Sequence, residues 1–126
     1  MLKIISVRQP WAWLIVQGLK NIENRTWATS YRGPLLIHAS QKLDMDVAET
    51  RDYFRGTGVK VPRSFETGGI VGYVELVDCV TSHPSGWFNG PYGFVLANAR
   101  PLPFYALKGR LGLFEVDDAI IKELGL

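Results

Sequence analysis

Only one cysteine, Cys79, is present, which excludes an internal disulfide and any cysteine-based metal cage. Its apolar surroundings, GGIVGYVELVDCV, predict a reduced thiol in the core. The two histidines, His38 and His83, come with no compact acidic cluster, so the zinc and two-metal hydrolase classes have no signature here. Neither a metal nor a cofactor is expected. The glycines of GTG at 56–58 lack the surrounding pattern of a phosphate-cradling loop, and no serine sits in a GxSxG elbow. Charge of one sign is also scarce: 14 Lys and Arg against 12 Asp and Glu leave a formal +2, which permits binding to a polyanion through a local basic patch but does not indicate wholesale coating of one. Long apolar runs are missing, and the start shows no basic leader followed by an apolar stretch, so neither secretion nor a membrane contact is expected and the cytoplasm is the expected compartment.

What is present is enough for one core. A chain of 126 residues, 47% hydrophobic, predicts a single domain over 1–126. Residues 2–7 alternate weakly and predict a strand. Pro10 suits the first turn of a helix continuing over 11–17, and Gly18 supplies its stop. That helix is apolar around most of its circumference, which implies packing against a sheet. Residues 21–27 have period-two character, Tyr31-Arg32-Gly33 makes a turn, and 34–39 predict a central strand. A second helix is expected over 44–54 with Asp44 as its cap. After a loop over 56–67 comes a long strand over 69–80, with Gly72 marking a bulge. The strand over 92–97 precedes a segment whose Pro101 and Pro103 disfavour a helix; a strand within 110–116 and a short helix over 118–124 follow. Five or six short strands with two or three helices in non-repeating order predict an α+β fold, a small mixed barrel with flanking helices.

The chemistry concentrates between Ser6 and Ser40, where charged and aromatic residues alternate with core residues. Lys20 falls at the helix exit, and period two places Glu23 and Arg25 on one face of the next segment. Three charges would then border one cleft if that segment curls back across the sheet. Lys20 can engage phosphate, polarise a carbonyl or act as a nucleophile if burial lowers its pKa, and Glu23 or Glu75 can move a proton beside it. Arg8 and Arg25 are candidate phosphate contacts; Arg32 is another, or else pins its turn through its planar donors. Gln9 offers a donor and an acceptor to a base edge, or satisfies the backbone at the helix entry. Trp27, Trp87 and Tyr92 are candidate stacking surfaces for a base. Trp11 and Trp13, on the apolar helix, are expected to place at least one ring in the core. Ser40, at the end of LLIHAS, is a further candidate contact, whereas His38 suits a structural hydrogen bond.

The segment SVRQPWAWLIVQGLKNIENRTWATSYRGPLLIHAS closely resembles the opening of ASCH domains (the activating signal cointegrator-1 homology domain), and GGIVGYVELVDCV, PYGFVLANARPL and KGRLGLFEV are similar to that family's successive core strands. The combination of QPWA, GxKxxExR, YRG and IVGxVEL covers essentially the whole chain. The resemblance implies a PUA-like β-barrel with flanking helices and a cleft that binds RNA, a nucleotide or a nucleoside, with DNA as an alternative ligand. Lys20, Glu23 and Arg25 fall in that implied cleft. Some small bacterial members are similar to amidohydrolases that deacetylate N4-acetylcytidine through a GxKTxT pattern; this chain keeps Lys20 but has Asn21 and Glu23 at the threonine positions. Other relatives look like metal-assisted ribonucleases. A hydrolase acting on a modified nucleoside or on RNA is therefore the alternative to a binding module.

Overall fold

The structure is a computed structural model that describes residues 2–126. The chain runs β1 (Lys3–Gln9), α1 (Trp11–Val16), β2 (Ile22–Arg25), β3 (Gly33–Leu43), α2 (Val47–Tyr53), β4 (Gly69–Val80), β5 (Tyr92–Ala106), β6 (Leu113–Glu115) and α3 (Asp118–Glu123). The strands form one sheet in the order β2-β5-β4-β3-β1-β6, with β1 and β3 parallel and the other pairs antiparallel.

The α+β composition agrees with the sequence, but the expected closed barrel is not formed. Closure requires the outermost strands to pair, whereas β2 pairs with β5 alone and β6 with β1 alone. These edges are four and three residues long, and short edges resist pairing with anything further. The sheet curls nonetheless. Its bend comes from irregularities in β4, where Ile37 faces Gly72 but His38 faces Ile70, leaving Val71 as the extra residue of a bulge. A Cβ at Gly72 would run into Val16 of α1 and the Arg100 carbonyl, so the glycine lets α1 press directly on the sheet.

Strand alternation divides the apolar residues between two faces. Ile5, Val7, Leu35, Ile37, Val74 and Phe94 form the main core with Ala12, Ile15 and Val16 of α1. Ile4, Leu36 and Ile70 point to the other face and are covered by Phe114, Val116, Ile120 and Leu124. Cys79 is free and half-buried at the margin of the main core.

The largest differences from the expected boundaries lie in β3, β5 and α2; β3 runs on to Leu43, past the expected 34–39. β5 runs on through Pro101 and Pro103 to Ala106: β2 covers only Tyr92–Val95, and where one strand edge has no partner a missing N–H is tolerated. The cap of α2 is Asp46, not Asp44. The Asp46 carboxylate accepts from the Glu49 amide at 2.8 Å and the Glu49 carboxylate from the Asp46 amide at 3.1 Å, a reciprocal capping box. Asp44 is thereby left for another role.

Candidate functional site

The gap that keeps the sheet open is a cleft of about 710 Å3, bounded by Ser6–Arg8 of β1 on one side and residues 23–27 on the other. Because β6 pairs with residues 3–5 alone, the last part of β1 is free to face it. One guanidinium spans the gap: Arg25 on β2 donates to the Ser6 carbonyl on β1 at 2.7 Å.

Lys20 enters the cleft because of how α1 ends. Gly18, at φ +76°, takes the left-handed conformation that stops the helix, and the Leu19 and Lys20 amides both return to the Leu14 carbonyl, at 2.9 and 3.2 Å. The Lys20 side chain is turned inward and is only 6% exposed. Its ammonium donates to the Ile22 carbonyl and lies 3.6 Å from Glu23 Oε1. Glu23, also buried, receives Arg25 on its other oxygen, from Nη2 at 2.8 Å and Nε at 3.0 Å. Burial pushes the Lys20 pKa below the ordinary lysine value; the Glu23 charge and hydrogen bond oppose that shift, and the Arg25 charge adds to it.

Aromatic rings wall the ammonium. Lys20 Nζ is 6.0 Å from the centre of Trp11 and 5.8 Å from that of Trp87, distances at which a cation is attracted to a ring face. The two rings meet edge to face, 6.3 Å apart at 68°. Each indole N–H is fixed, Trp11 to Asp44 Oδ2 at 2.8 Å and Trp87 to the Leu19 carbonyl at 2.9 Å. The other Asp44 oxygen accepts from Arg8 at 3.1 Å. Asn24 holds the loop carrying Trp87 by donating to the Trp87 carbonyl at 2.9 Å and accepting from the Asn89 and Gly90 amides at 2.8 and 3.1 Å. Trp27 lines the cleft while its ring packs on Phe94 at 5.2 Å. Tyr53, exposed on α2, forms the outer rim. Three cations, Arg8, Lys20 and Arg25, thus face two carboxylates, Glu23 and Asp44, so the cleft carries a small positive excess with every cation already paired.

Of the candidates taken from the sequence, Arg8, Lys20, Glu23, Arg25, Trp27 and Trp87 come together here. The others lie outside the lining. Gln9 is buried, donating to the Glu66 carbonyl at 2.9 Å and accepting from the Trp13 amide at 2.8 Å. Arg32 donates to the Thr29 and Tyr31 carbonyls and approaches Asp78 at 3.5 Å. Ser40 reaches the Lys42 carbonyl at 3.5 Å, and Glu75 accepts from Asn98 at 3.1 Å. Tyr92 sits in β5 opposite Arg25 without reaching the cleft. His38 is buried between Ser6 Oγ at 2.8 Å and the Leu107 carbonyl at 2.6 Å; donation from Nε2 to the carbonyl leaves Nδ1 to accept from the serine. Trp11, Asn24, Asp44 and Tyr53 line the cleft without having been singled out for it. Period two gave no signal for Asn24, which it turns to the face opposite Glu23 and Arg25. Among the described residues no group of three or more His, Cys, Asp or Glu is placed to hold a metal ion, and no helix is long and apolar enough to cross a membrane.

The defining sequence pattern of the ASCH domain matches residues 5–105. Activating signal cointegrator 1 from Homo sapiens is 32% identical over 130 aligned residues that take in 92% of this chain, and the Mus musculus protein of the same name is 39% identical over 61% of it. The chain spans 22% of the human protein's length and 14% of the mouse protein's. Among solved structures, ASCH from Zymomonas mobilis superposes with a TM-score of 0.61 over 98% of this chain and 93% of its own at 14% identity; its S128A variant gives 0.63 over 98% and 94%, also at 14% identity. At that identity the likeness concerns the fold.

Proposed function

Because the chain belongs to the ASCH domain family, within the PUA-like superfamily and with a fold associated with RNA and nucleotide binding, we propose that its cleft binds RNA or a nucleotide, holding phosphate through the cations and a base against tryptophan. The observation that carries this reading is the buried Lys20 ammonium between the Trp11 and Trp87 rings. A preorganised cation beside aromatic faces suits a ligand with both an anionic and a flat apolar part. Lys20 and Arg25 meet the phosphate, Trp87 and Trp27 meet the base, and the polar groups at the rim give limited base selection.

The test is a titration of the purified chain with nucleoside monophosphates and short single-stranded RNAs at several salt concentrations. Trp87→Ala is expected to weaken binding by about 1–3 kcal/mol, the usual worth of one base on an aromatic face, and Lys20→Met to weaken it for every base alike. Equal affinities for wild type and both variants would overturn the reading.

One observation favours a second reading, hydrolysis of an amide on a modified nucleoside such as N4-acetylcytidine. A lysine whose pKa is lowered by burial is a better nucleophile or carbonyl activator at neutral pH, and Lys20 has that environment with Glu23 beside it to move a proton. Glu75, on β4 and bonded to Asn98, lies outside the cleft lining. Incubating wild type and Lys20→Met with modified nucleosides and RNA, with and without divalent metal, and weighing the products by mass spectrometry separates the two readings. A deacetylated product lost in the variant supports hydrolysis; intact substrates leave a binding module.

A further inference from the structure

Beyond α2 lies a second groove of about 600 Å3, and its electrostatics differ from those of the cleft. Its floor is apolar, with Leu43, Val47 and Phe65, and its walls carry Arg51 and Arg63. The Phe65 ring, part of the lining, is tilted against Trp13 with ring centres 6.2 Å apart. Whereas Arg8, Lys20 and Arg25 are all paired with carboxylates, no carboxylate lies within ion-pair distance of Arg51 or Arg63 among the described residues. Asp46, also in the lining, already accepts from the Glu49 amide. Two uncommitted guanidiniums over an aromatic floor form a surface for a phosphodiester chain with a stacked base. α2 itself joins the sites, since Tyr53 at its end borders the cleft and Val47 and Arg51 border the groove.

We propose that this groove holds the continuing backbone of a single-stranded nucleic acid, Arg51 and Arg63 on its phosphates and Phe65 under a base, while one terminal nucleotide occupies the cleft. The inference rests on the cleft's being a nucleotide site, and it names the form of the ligand: an oligonucleotide in preference to a free nucleotide. Crossing a helix of ~10–12 Å diameter takes about three nucleotides at a stacked rise of ~3.4 Å. Affinity therefore rises steeply once the strand exceeds about that length.

The experiment measures, by fluorescence anisotropy, binding of a nucleoside monophosphate and of single-stranded RNAs of roughly two to eight nucleotides to the wild-type chain and to the double variant Arg51→Gln/Arg63→Gln. Both arginines are exposed and without a partner among the described residues, so the variant is expected to keep its melting temperature. The expected result is an unchanged monophosphate affinity, a loss of about tenfold for the longer RNAs, and a salt dependence shallower by about 1.4 in log–log slope, the amount for two single-strand phosphates. Arg51→Lys/Arg63→Lys should restore most of it. If the monophosphate binds but affinity does not grow with length, or the Gln variant leaves the longer RNAs unaffected, the groove is not a strand site and the inference falls while the cleft reading stands. If neither monophosphate nor RNA binds, both fall together.

Discussion

Glu23 has two cationic neighbours and divides its oxygens between them, Oε1 towards Lys20 and Oε2 towards Arg25. Removing it leaves a buried ammonium facing a guanidinium of the same sign, whereas removing Lys20 leaves Glu23 still neutralised by Arg25. Glu23→Ala is therefore expected to destabilise the chain by about 3 kcal/mol, the scale for breaking a buried pair, and Lys20→Met by much less; chemical denaturation of both variants decides. The same burial sets a pH dependence. With the folded pKa of Lys20 below its unfolded value of 10.5, the unfolded state binds more protons between those two values, so stability rises with pH across that window and the cost of burying the charge is fully present below it. Relative to Lys20→Met, which lacks the group, wild type should gain stability as pH climbs through the window. Phosphate affinity should move the other way, falling as Lys20 loses its proton.

Elements carry these groups into register. Asn24 on β2 makes three hydrogen bonds to the loop that bears Trp87, so Asn24→Ala is expected to cost about 2 kcal/mol, to speed amide exchange at Asn89 and Gly90, and to weaken ligand binding through displacement of Trp87. At Gly72 an added methyl meets Val16 and the Arg100 carbonyl; Gly72→Ala should lose about 1–3 kcal/mol to overpacking, partly recovered by Val16→Ala, as thermal melts of the single and double variants will show. Much at this scale is legible in the sequence. Period two puts Glu23 and Arg25 on one face, Gly18 announces the end of α1, and the apolar run Gly69–Val80 reads directly as β4. What eludes sequence reading depends on distant partners. The strand expected over 92–97 runs on through Pro101 and Pro103 only because one edge of β5 is free there. Asp44 looks like a cap until Asp46 and Glu49 close their own box. Trp11, on a helix apolar nearly all round, gives no sign that its N–H reaches Asp44.

Across the whole molecule, closure is the property that local patterns could not supply, because it turns on whether β2 meets an edge of the sheet far away in sequence. The strands stop short of meeting, Arg25 spans the opening to Ser6, and the opening is where Lys20 and its tryptophans lie. The opposite face of the sheet is sealed by a different device. Ile4, Leu36 and Ile70, each fully buried, are covered by Phe114 and Val116 around β6, by Ile120 of α3 and by Leu124 at its C-cap, all of which follow the family-matched residues 5–105. The face sealed by β6 and the C-terminal residues is thereby separate from the cleft, and a substitution there should be able to alter stability without altering the proposed binding. Ile120→Ala and Leu124→Ala remove partly buried apolar surface far from the cleft and are each expected to cost about 1–2 kcal/mol. Their joint variant should melt at lower temperature, yet bind a nucleoside monophosphate as wild type does at temperatures where it remains folded. Loss of binding at full folding would mean that α3 acts on the cleft through the sheet, and that the two faces are coupled.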